Sequence, residues 1–402
     1  MKNLYITLIA LLGLGAQTYA QCEGRYENEI FSTVSKTTVN YSDVYTGLDH
    51  EMDIYTPDGD TEINRPVIFF IHGGAFYTGD KGSVDCIDFC ESFAKRGYVA
   101  ISPNYRLADI GAFLSSKENQ FKTVLRAISD VKSAVRYMRK DFENGDNYGI
   151  DTSTIFVGGY SAGAVLALHL AFIDKVSDLP TSPINVQALL DSIGGTLEGD
   201  AGNNGYSSKV SGVVSFAGGV YDVGLIDAND EPFVAMHGTD DLTVPFDCGP
   251  ALNNPAILTL CGANEMIKAA KANGVDFDSL VFVGEGHGWP SAGKAAPQFV
   301  ESLELASSFL YYFLPCYDGP ALNVNEAQKS SFSLYPNPAS AKIEFFNEET
   351  IQIKAFAIDG KMVFNGQVQP YQSLDVSHLP KGVYMVEINS PLKQEFKKLV
   401  VE

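Results

Sequence analysis

Thr154-Ile155-Phe156-Val157-Gly158-Gly159-Tyr160-Ser161-Ala162-Gly163 decides the fold of this chain. A short apolar run suited to a buried strand ends in a glycine-flanked serine, and a helical run from Val165 to Ile173 follows. A sharp strand-to-helix turn is what presents a serine oxygen above a sheet. Glycines on either side remove the Cβ atoms that would clash in such a turn. The helix start beyond it adds an unpaired N–H and a positive dipole end beside that oxygen. A GxSxG pattern alone is also that of an ordinary glycine-rich turn, in a chain with 37 glycines. Its strand–turn–helix setting makes Ser161 a candidate nucleophile.

Working outward, five more apolar runs have the length of buried strands: Val67–Ile71, Tyr98–Ile101, Val213–Phe216, Phe233–Met236 and Leu280–Val283. Between them lie helical patterns. Val124, Ala127, Ile128, Val131, Ala134, Val135 and Met138 recur at helical spacing before a stop at Asn144-Gly145, and Phe299–Leu314 reads as a last helix. Continuous apolar strands separated by helices require a parallel sheet covered on both faces. The expected fold is therefore α/β, a doubly wound, mostly parallel sheet.

Of 402 residues, 45% are hydrophobic and 19% charged, which excludes a wholly disordered or collagen-like chain. The 28 Lys and Arg against 49 Asp and Glu leave a net charge of -21, so nucleic acid and anionic membranes are not expected partners. Leu4 to Gly15, about twelve residues behind Lys2, is too short to span a bilayer. With Thr18-Tyr19-Ala20 after it, the stretch 1–20 reads as a signal peptide, and Gln21 before Cys22 argues against a lipoprotein. All six cysteines lie beyond it, and an even number in an exported chain suggests disulfides. Cys248 and Cys261, bracketing a loop with Pro and Asn, are the expected pair. Cys86 and Cys90 are four apart, in reach of each other on one helix face but seldom well aligned for a bond. No cysteine pair has a second CxxC or a nearby HxxxH to complete four ligands, so neither metal nor cofactor is expected.

Past Cys316 the character changes. Residues 317–330 read as a linker, after a first domain spanning 21–316. Residues 331–402 show alternating runs, Lys342–Phe346, Ile351–Phe356 and Val383–Ile388, with turn signals at Asp359-Gly360, Asn365-Gly366 and Pro380-Lys381-Gly382. That pattern is a small β-sandwich. It carries seven Lys or Arg and eight Asp or Glu, so nearly all the negative charge sits on the larger domain.

Two further loops carry chemistry. His72-Gly73-Gly74-Ala75-Phe76 follows a buried strand, and its glycines allow backbone amides to face a substrate. Gly73 and Gly74, with the amide of Ala162, are the candidate oxyanion donors; His72 reads as structural. His237-Gly238-Thr239-Asp240-Asp241 and Gly284-Glu285-Gly286-His287-Gly288-Trp289 each follow a later strand, emerging at the same sheet edge as Ser161. They supply a candidate acid, Asp241 or its neighbour Asp240, and a candidate base, His287.

Four motifs in this order, HGGAF, GYSAG, HGTDD-x-x-VP and GHGW, make Thr46 to Leu314 resemble an α/β-hydrolase of the carboxylesterase and hormone-sensitive-lipase-like type, the group with an HGG oxyanion loop. The resemblance implies a secreted serine carboxylic ester hydrolase working through a Ser161–His287–Asp241 triad and an acyl-enzyme. In such loops the acid is the fifth residue, which favours Asp241 over Asp240. Asn104-Tyr105-Arg106-Leu107 matches the family's structural loop. Ala164 stands where many relatives of the lipase branch have glycine, which leaves the subfamily open. The insertion between Lys175 and Lys209, with Gly194 to Asp200, is expected at the pocket rim, and acetyl, feruloyl, lipid and polyester substrates all fit it. Two alternatives remain: a peptidase of the prolyl-oligopeptidase type, which would carry a propeller before the hydrolase, and a non-catalytic hydrolase-fold surface binding protein, which the loss of a triad member would favour.

Tyr335-Pro336-Asn337-Pro338, Leu379–Tyr384 and Lys397–Val401 make the tail resemble the sorting domain of the type IX secretion system of Bacteroidetes-like bacteria. This implies an interaction with the secretion machinery and a secreted or cell-surface location reached through the periplasm. A carbohydrate-binding sandwich would usually show exposed aromatics including Trp, and the only Trp is Trp289 in the other domain.

Overall fold

Every residue of Arg65–Ile71 is buried, and its side chains sort by parity. Val67, Phe69 and Ile71 enter one apolar core, Ile68 and Phe70 a second one. A strand with a core on each side is the middle layer of three, which explains why its sequence is continuously apolar instead of alternating. The computed structural model describes Cys22 and residues 24–181, 184–317, 334–335, 339–345, 350–357, 361–369, 372–389 and 394–401. The expected signal peptide, most of the linker, Asp359-Gly360 and Pro336 to Pro338 lie outside the described residues.

The first domain runs β1 (Val34–Asn40), β2 (Glu51–Pro57), β3 (Arg65–Ile71), α1 (Val84–Lys95), β4 (Val99–Pro103), α2 (Ile110–Leu114), α3 (Lys117–Glu143), β5 (Ile150–Tyr160) and α4 (Ala162–Phe172). It continues with α5 (Val186–Asp191), β6 (Val213–Phe216), β7 (Phe233–Gly238), β8 (Cys248–Pro250), β9 (Thr259–Cys261), α6 (Ala263–Asn273), β10 (Phe277–Phe282) and α7 (Pro297–Tyr311). Eight strands form one sheet in the order β1-β2-β4-β3-β5-β6-β7-β10. From β4 to β10 neighbours are parallel, while β1 and β2 run antiparallel at one edge. The sheet is thus the doubly wound one expected, extended by a hairpin whose sequence, polar along Val34–Asn40, carries no buried-strand signal.

Helices α3, α4 and α6 cover one face, sharing a core that includes Val131, Leu166 and Met266; α1 and α7 cover the other through Phe89, Phe93, Phe299 and Leu303. Phe70 stacks on Phe89 at 3.9 Å between ring centres, so truncating it to alanine costs about 3–5 kcal/mol. Helix α3 begins where the Ser116 hydroxyl accepts the Asn119 amide, and Asn144 ends it.

The chain leaves β3 for β4 on one side and then crosses to β5 on the other. The loops after β3 and β5 therefore leave adjacent strands at the point where the winding reverses, the crevice where open α/β sheets collect their sites. The stretch Gly194 to Asp200 is tied down from beneath. Asp200 accepts from Arg106, Tyr45 and Ser129, and Glu198 accepts from Arg136 and Ser208.

Two disulfides are present, Cys248–Cys261 and Cys22–Cys316, while Cys86 and Cys90 are buried and unpaired. The second bond joins the two ends of the domain across a separation of 294 residues. The tail consists of β11 (Leu334–Tyr335), β12 (Lys342–Phe345), β13 (Ile351–Ala357), β14 (Met362–Val368), β15 (Ser373–Asp375), β16 (Gly382–Asn389) and β17 (Gln394–Val401). A sheet β11-β12-β15 and a sheet β14-β13-β16-β17 share one core, in which Ile343 and Phe345 meet Ile353, Val386 and Leu399. One expected turn is corrected. Asn365-Gly366 lies inside β14, opposite Lys354 and Ile353. This strand is at the sheet edge, where a glycine and an exposed Asn are tolerated, and the Phe364 ring fills the space beside Gly366.

Candidate active site

Ser161 sits at the junction of β5 and α4 with φ 55° and ψ −121°, a strained backbone for a residue with a Cβ. The junction is tight because α4 starts directly above the end of β3. A Cβ on Gly163 would lie 2.0 Å from the Ile71 carbonyl oxygen, and one on Gly159 would lie 2.6 Å from the same atom. Only glycine fits at either place, and the strain at Ser161 follows from the turn they allow.

His287 reaches Ser161 from the loop after β10, with Nε2 at 2.7 Å from Oγ. Its Nδ1 stands 2.6 Å from Oδ2 of Asp241, in the loop after β7. A carboxylate only accepts, so Nδ1 carries the proton and donates to Asp241, which leaves Nε2 to accept from the Ser161 hydroxyl. Asp241 Oδ1 is held in turn by the amides of Thr243 at 2.8 Å and Val244 at 2.9 Å. Burial raises the pKa of this carboxylate, but hydrogen bonds from His237 and then His287 outweigh it and hold the group well below the usual carboxylate range. The neighbouring Asp240 is exposed and bonds through its amide to the Glu285 carbonyl. The side-chain geometry thus favours Asp241 of the two.

Gly73 and Gly74 follow β3 beside Ser161. A Cβ on Gly73 would come within 3.2 Å of Ser161 Cβ. Among the described residues neither Gly73 nor Gly74 gives its amide to a hydrogen bond. Ala162, the first residue of α4, has the unpaired amide of a helix start. His72 is buried, holds the Gly73 carbonyl through Nδ1 at 2.7 Å and stacks on Tyr105 at 4.4 Å. The Tyr105 hydroxyl donates to the His72 carbonyl, so both side chains brace the loop.

Cys248 and Cys261 lie opposite each other in the β8–β9 hairpin, which also pairs with Val220 through bonds of 3.0 and 2.7 Å. Leu252 donates to the Thr243 carbonyl at 2.7 Å, connecting this hairpin to the loop of Asp241.

Two residues escaped the reading of the sequence. His237, the first residue of the HGTDD motif, is buried with Nε2 at 3.4 Å from Asp241 Oδ2. Tyr160 donates its hydroxyl to the His287 carbonyl at 3.1 Å. The signal available for His237 was its place four residues before Asp241, the candidate acid. A tyrosine between Gly159 and Ser161 carries none.

Residues 52–255, just over half of the chain, match the family described as BD-FAE. The chain belongs to the BD-FAE family. Residues 333–402 match the secretion system C-terminal sorting domain, a tail that marks the protein as secreted or displayed at the cell surface. Among curated proteins, the chain is similar to the para-nitrobenzyl esterase of Bacillus subtilis (strain 168), 32% identical over 114 residues, 28% of this chain and 22% of that protein. Gut esterase 1 of Caenorhabditis briggsae is 28% identical over 127 residues, covering 32% of this chain and 22% of its own. The chain spans about a fifth of the length of these relatives. Among solved structures, esterase 2 of Thermogutta terrifontis phosphoramylated by tabun aligns over 69% of this chain and 94% of that one, at TM-score 0.51 and 22% identity. At that identity the likeness establishes the α/β-hydrolase fold.

Proposed function

We propose that the chain is a secreted serine hydrolase of carboxylic esters, with Ser161 as nucleophile, His287 as base and Asp241 as the acid that orients it. One observation carries the reading: the imidazole of His287 is bonded at once to the Ser161 hydroxyl and to the Asp241 carboxylate, at 2.7 and 2.6 Å. Esterases among the relatives support the same chemistry.

Ser161 Oγ attacks the ester carbonyl carbon as His287 Nε2 takes its proton. The imidazolium that forms keeps Nδ1–H on Asp241, whose low pKa keeps it an anion throughout. The carbonyl oxygen, now carrying the negative charge, accepts from the amides of Gly73, Gly74 and Ala162. The tetrahedral centre collapses, the C–O bond to the alcohol breaks, and the alcohol leaves with the proton from Nε2. Water then adds to the acyl-enzyme with His287 again as base, and the acid leaves as Ser161 Oγ recovers its proton.

Domain roles divide at Cys316. Residues 21–316 form the catalytic unit, 317–330 the linker, and 331–402 the part read by the type IX secretion machinery. The test is hydrolysis of short p-nitrophenyl esters by wild type beside Ser161→Ala. The reading predicts turnover by wild type and a loss of at least about a thousandfold in the variant. Equal rates would sink it.

A further inference from the structure

Tyr160, the residue between the first glycine of the turn and the nucleophile, touches three parts of the site. Its hydroxyl donates to the backbone carbonyl of His287 at 3.1 Å. Its ring lies against the His287 imidazole, 5.2 Å between centres and tilted by 33°. Its main-chain oxygen and ring edge also wall the oxyanion loop. A Cβ on Gly73 would meet them at 3.1 and 3.3 Å. Burial first, then nearby Asp85 and Asp241, pushes the phenol pKa up, so the hydroxyl stays protonated and able to donate.

Base and nucleophile come from loops 126 residues apart. Trp289, buried against Phe282 and Phe216, anchors the base loop two residues beyond His287. Nothing in that anchor sets the carbonyl of His287 itself, and a rotation of that peptide would swing the imidazole off the line between Ser161 and Asp241. The phenol of Tyr160 fixes that peptide, from the residue covalently next to the nucleophile.

We infer that Tyr160 is a positioning residue: by holding the His287 peptide and walling Gly73, it registers base and oxyanion donor to Ser161. This rests on the proposed triad and deepens it. Because the side chain acts through His287, its loss should lower turnover and leave ground-state binding alone.

The test compares Tyr160→Phe, which keeps the ring and removes the hydroxyl, and Tyr160→Ala, which removes both, with wild type. Tyr41→Phe is the control. Its buried hydroxyl also donates to backbone carbonyls, at Asn104 and Asp49, outside the triad. Expected are a fall in kcat of about tenfold for Tyr160→Phe, with KM within about twofold, and a larger fall for Tyr160→Ala. Tyr41→Phe should lose stability and keep kcat. In proton NMR, the downfield signal of the His287 Nδ1–H should shift or broaden in Tyr160→Phe and not in Tyr41→Phe. Wild-type kcat in Tyr160→Phe, or an equal fall in both variants, overturns the inference. If wild type hydrolyses no ester, the functional reading fails by itself; the NMR comparison then decides the positioning role, and an unchanged downfield signal in Tyr160→Phe overturns it.

Discussion

His237 Nε2 lies 3.4 Å from Asp241 Oδ2 while it donates to the Val244 carbonyl at 2.9 Å. Asp241 therefore has two imidazoles against one oxygen, His287 facing Ser161 and His237 fully buried on β7, four positions back in the chain. The buried one fixes the turn from which the carboxylate projects. His237→Phe keeps the volume and removes the donor, leaving the Val244 carbonyl unpaired. Stability should fall by about 1–3 kcal/mol and kcat by about tenfold. Urea denaturation and ester kinetics on one preparation check both, and an unchanged kcat removes His237 from the account.

Asp241→Asn should be far more damaging than its size suggests. An amide in place of the carboxylate is able to donate to His287, which reverses the tautomer and puts a proton on Nε2, where the Ser161 proton has to go. A fall in kcat of about ten-thousandfold is expected. Asp240→Asn, at an exposed neighbour, should stay near wild type. The reverse order of the two effects would reassign the acid.

Acid should weaken the domain partly through Asp200. Burial raises the pKa of this carboxylate, but hydrogen bonds and charge from Arg106, with Tyr45 and Ser129, bring it down to about 2. An unfolded Asp titrates near about 3.9. The folded pKa is the lower one, so the contribution is complete above about pH 4 and is lost as pH falls toward 2. Asp200→Asn should be less stable than wild type at pH 7, and the gap should close as pH is lowered through that window. Denaturation midpoints in a pH series check this; a gap independent of pH contradicts it.

The two disulfides should differ in weight. Cys22–Cys316 closes a separation of 294 residues and Cys248–Cys261 one of 13. In the chain-entropy model they contribute about 6 and about 3 kcal/mol. Replacing each pair by serine should give that order in guanidinium denaturation.

A chain ending at Ser330 should keep ester hydrolysis close to wild type and stay in the periplasm. All three proposed triad residues and the proposed oxyanion glycines precede Cys316, and the tail has a core of its own. Activity assays and cell fractionation check the two halves. A folded, truncated enzyme that has lost most of its activity would place the tail in the site.

Much of this arrangement was legible because its signals are local. The glycines of the Ser161 turn are forced by contact with the Ile71 carbonyl at the end of β3, and the five-residue GxSxG pattern records that requirement directly. The buried strands announce themselves because both faces of β3 are covered. What stayed hidden depends on pairs distant along the chain or on ordinary residue types. Cys22 meets Cys316 only once the domain has closed, and nothing around either cysteine marks the partner. The β1–β2 hairpin is half polar, so it lacks the apolar run by which the other strands were found. Tyr160 and His237 act through a backbone carbonyl and a second carboxylate contact, which residue identity does not advertise. Asn365-Gly366 misled because an edge strand accepts the residues that usually make a turn.

The central claim is that Ser161 is the nucleophile. The most direct measurement is to treat the protein with diethyl p-nitrophenyl phosphate, a phosphorylating reagent for activated serines, and locate the adduct by intact mass and peptide mapping. The account predicts one diethylphosphoryl group per chain, on Ser161, appearing as activity is lost and absent from Ser161→Ala. Inactivation with the adduct on another residue, or hydrolysis that persists after Ser161 is fully modified, would contradict it.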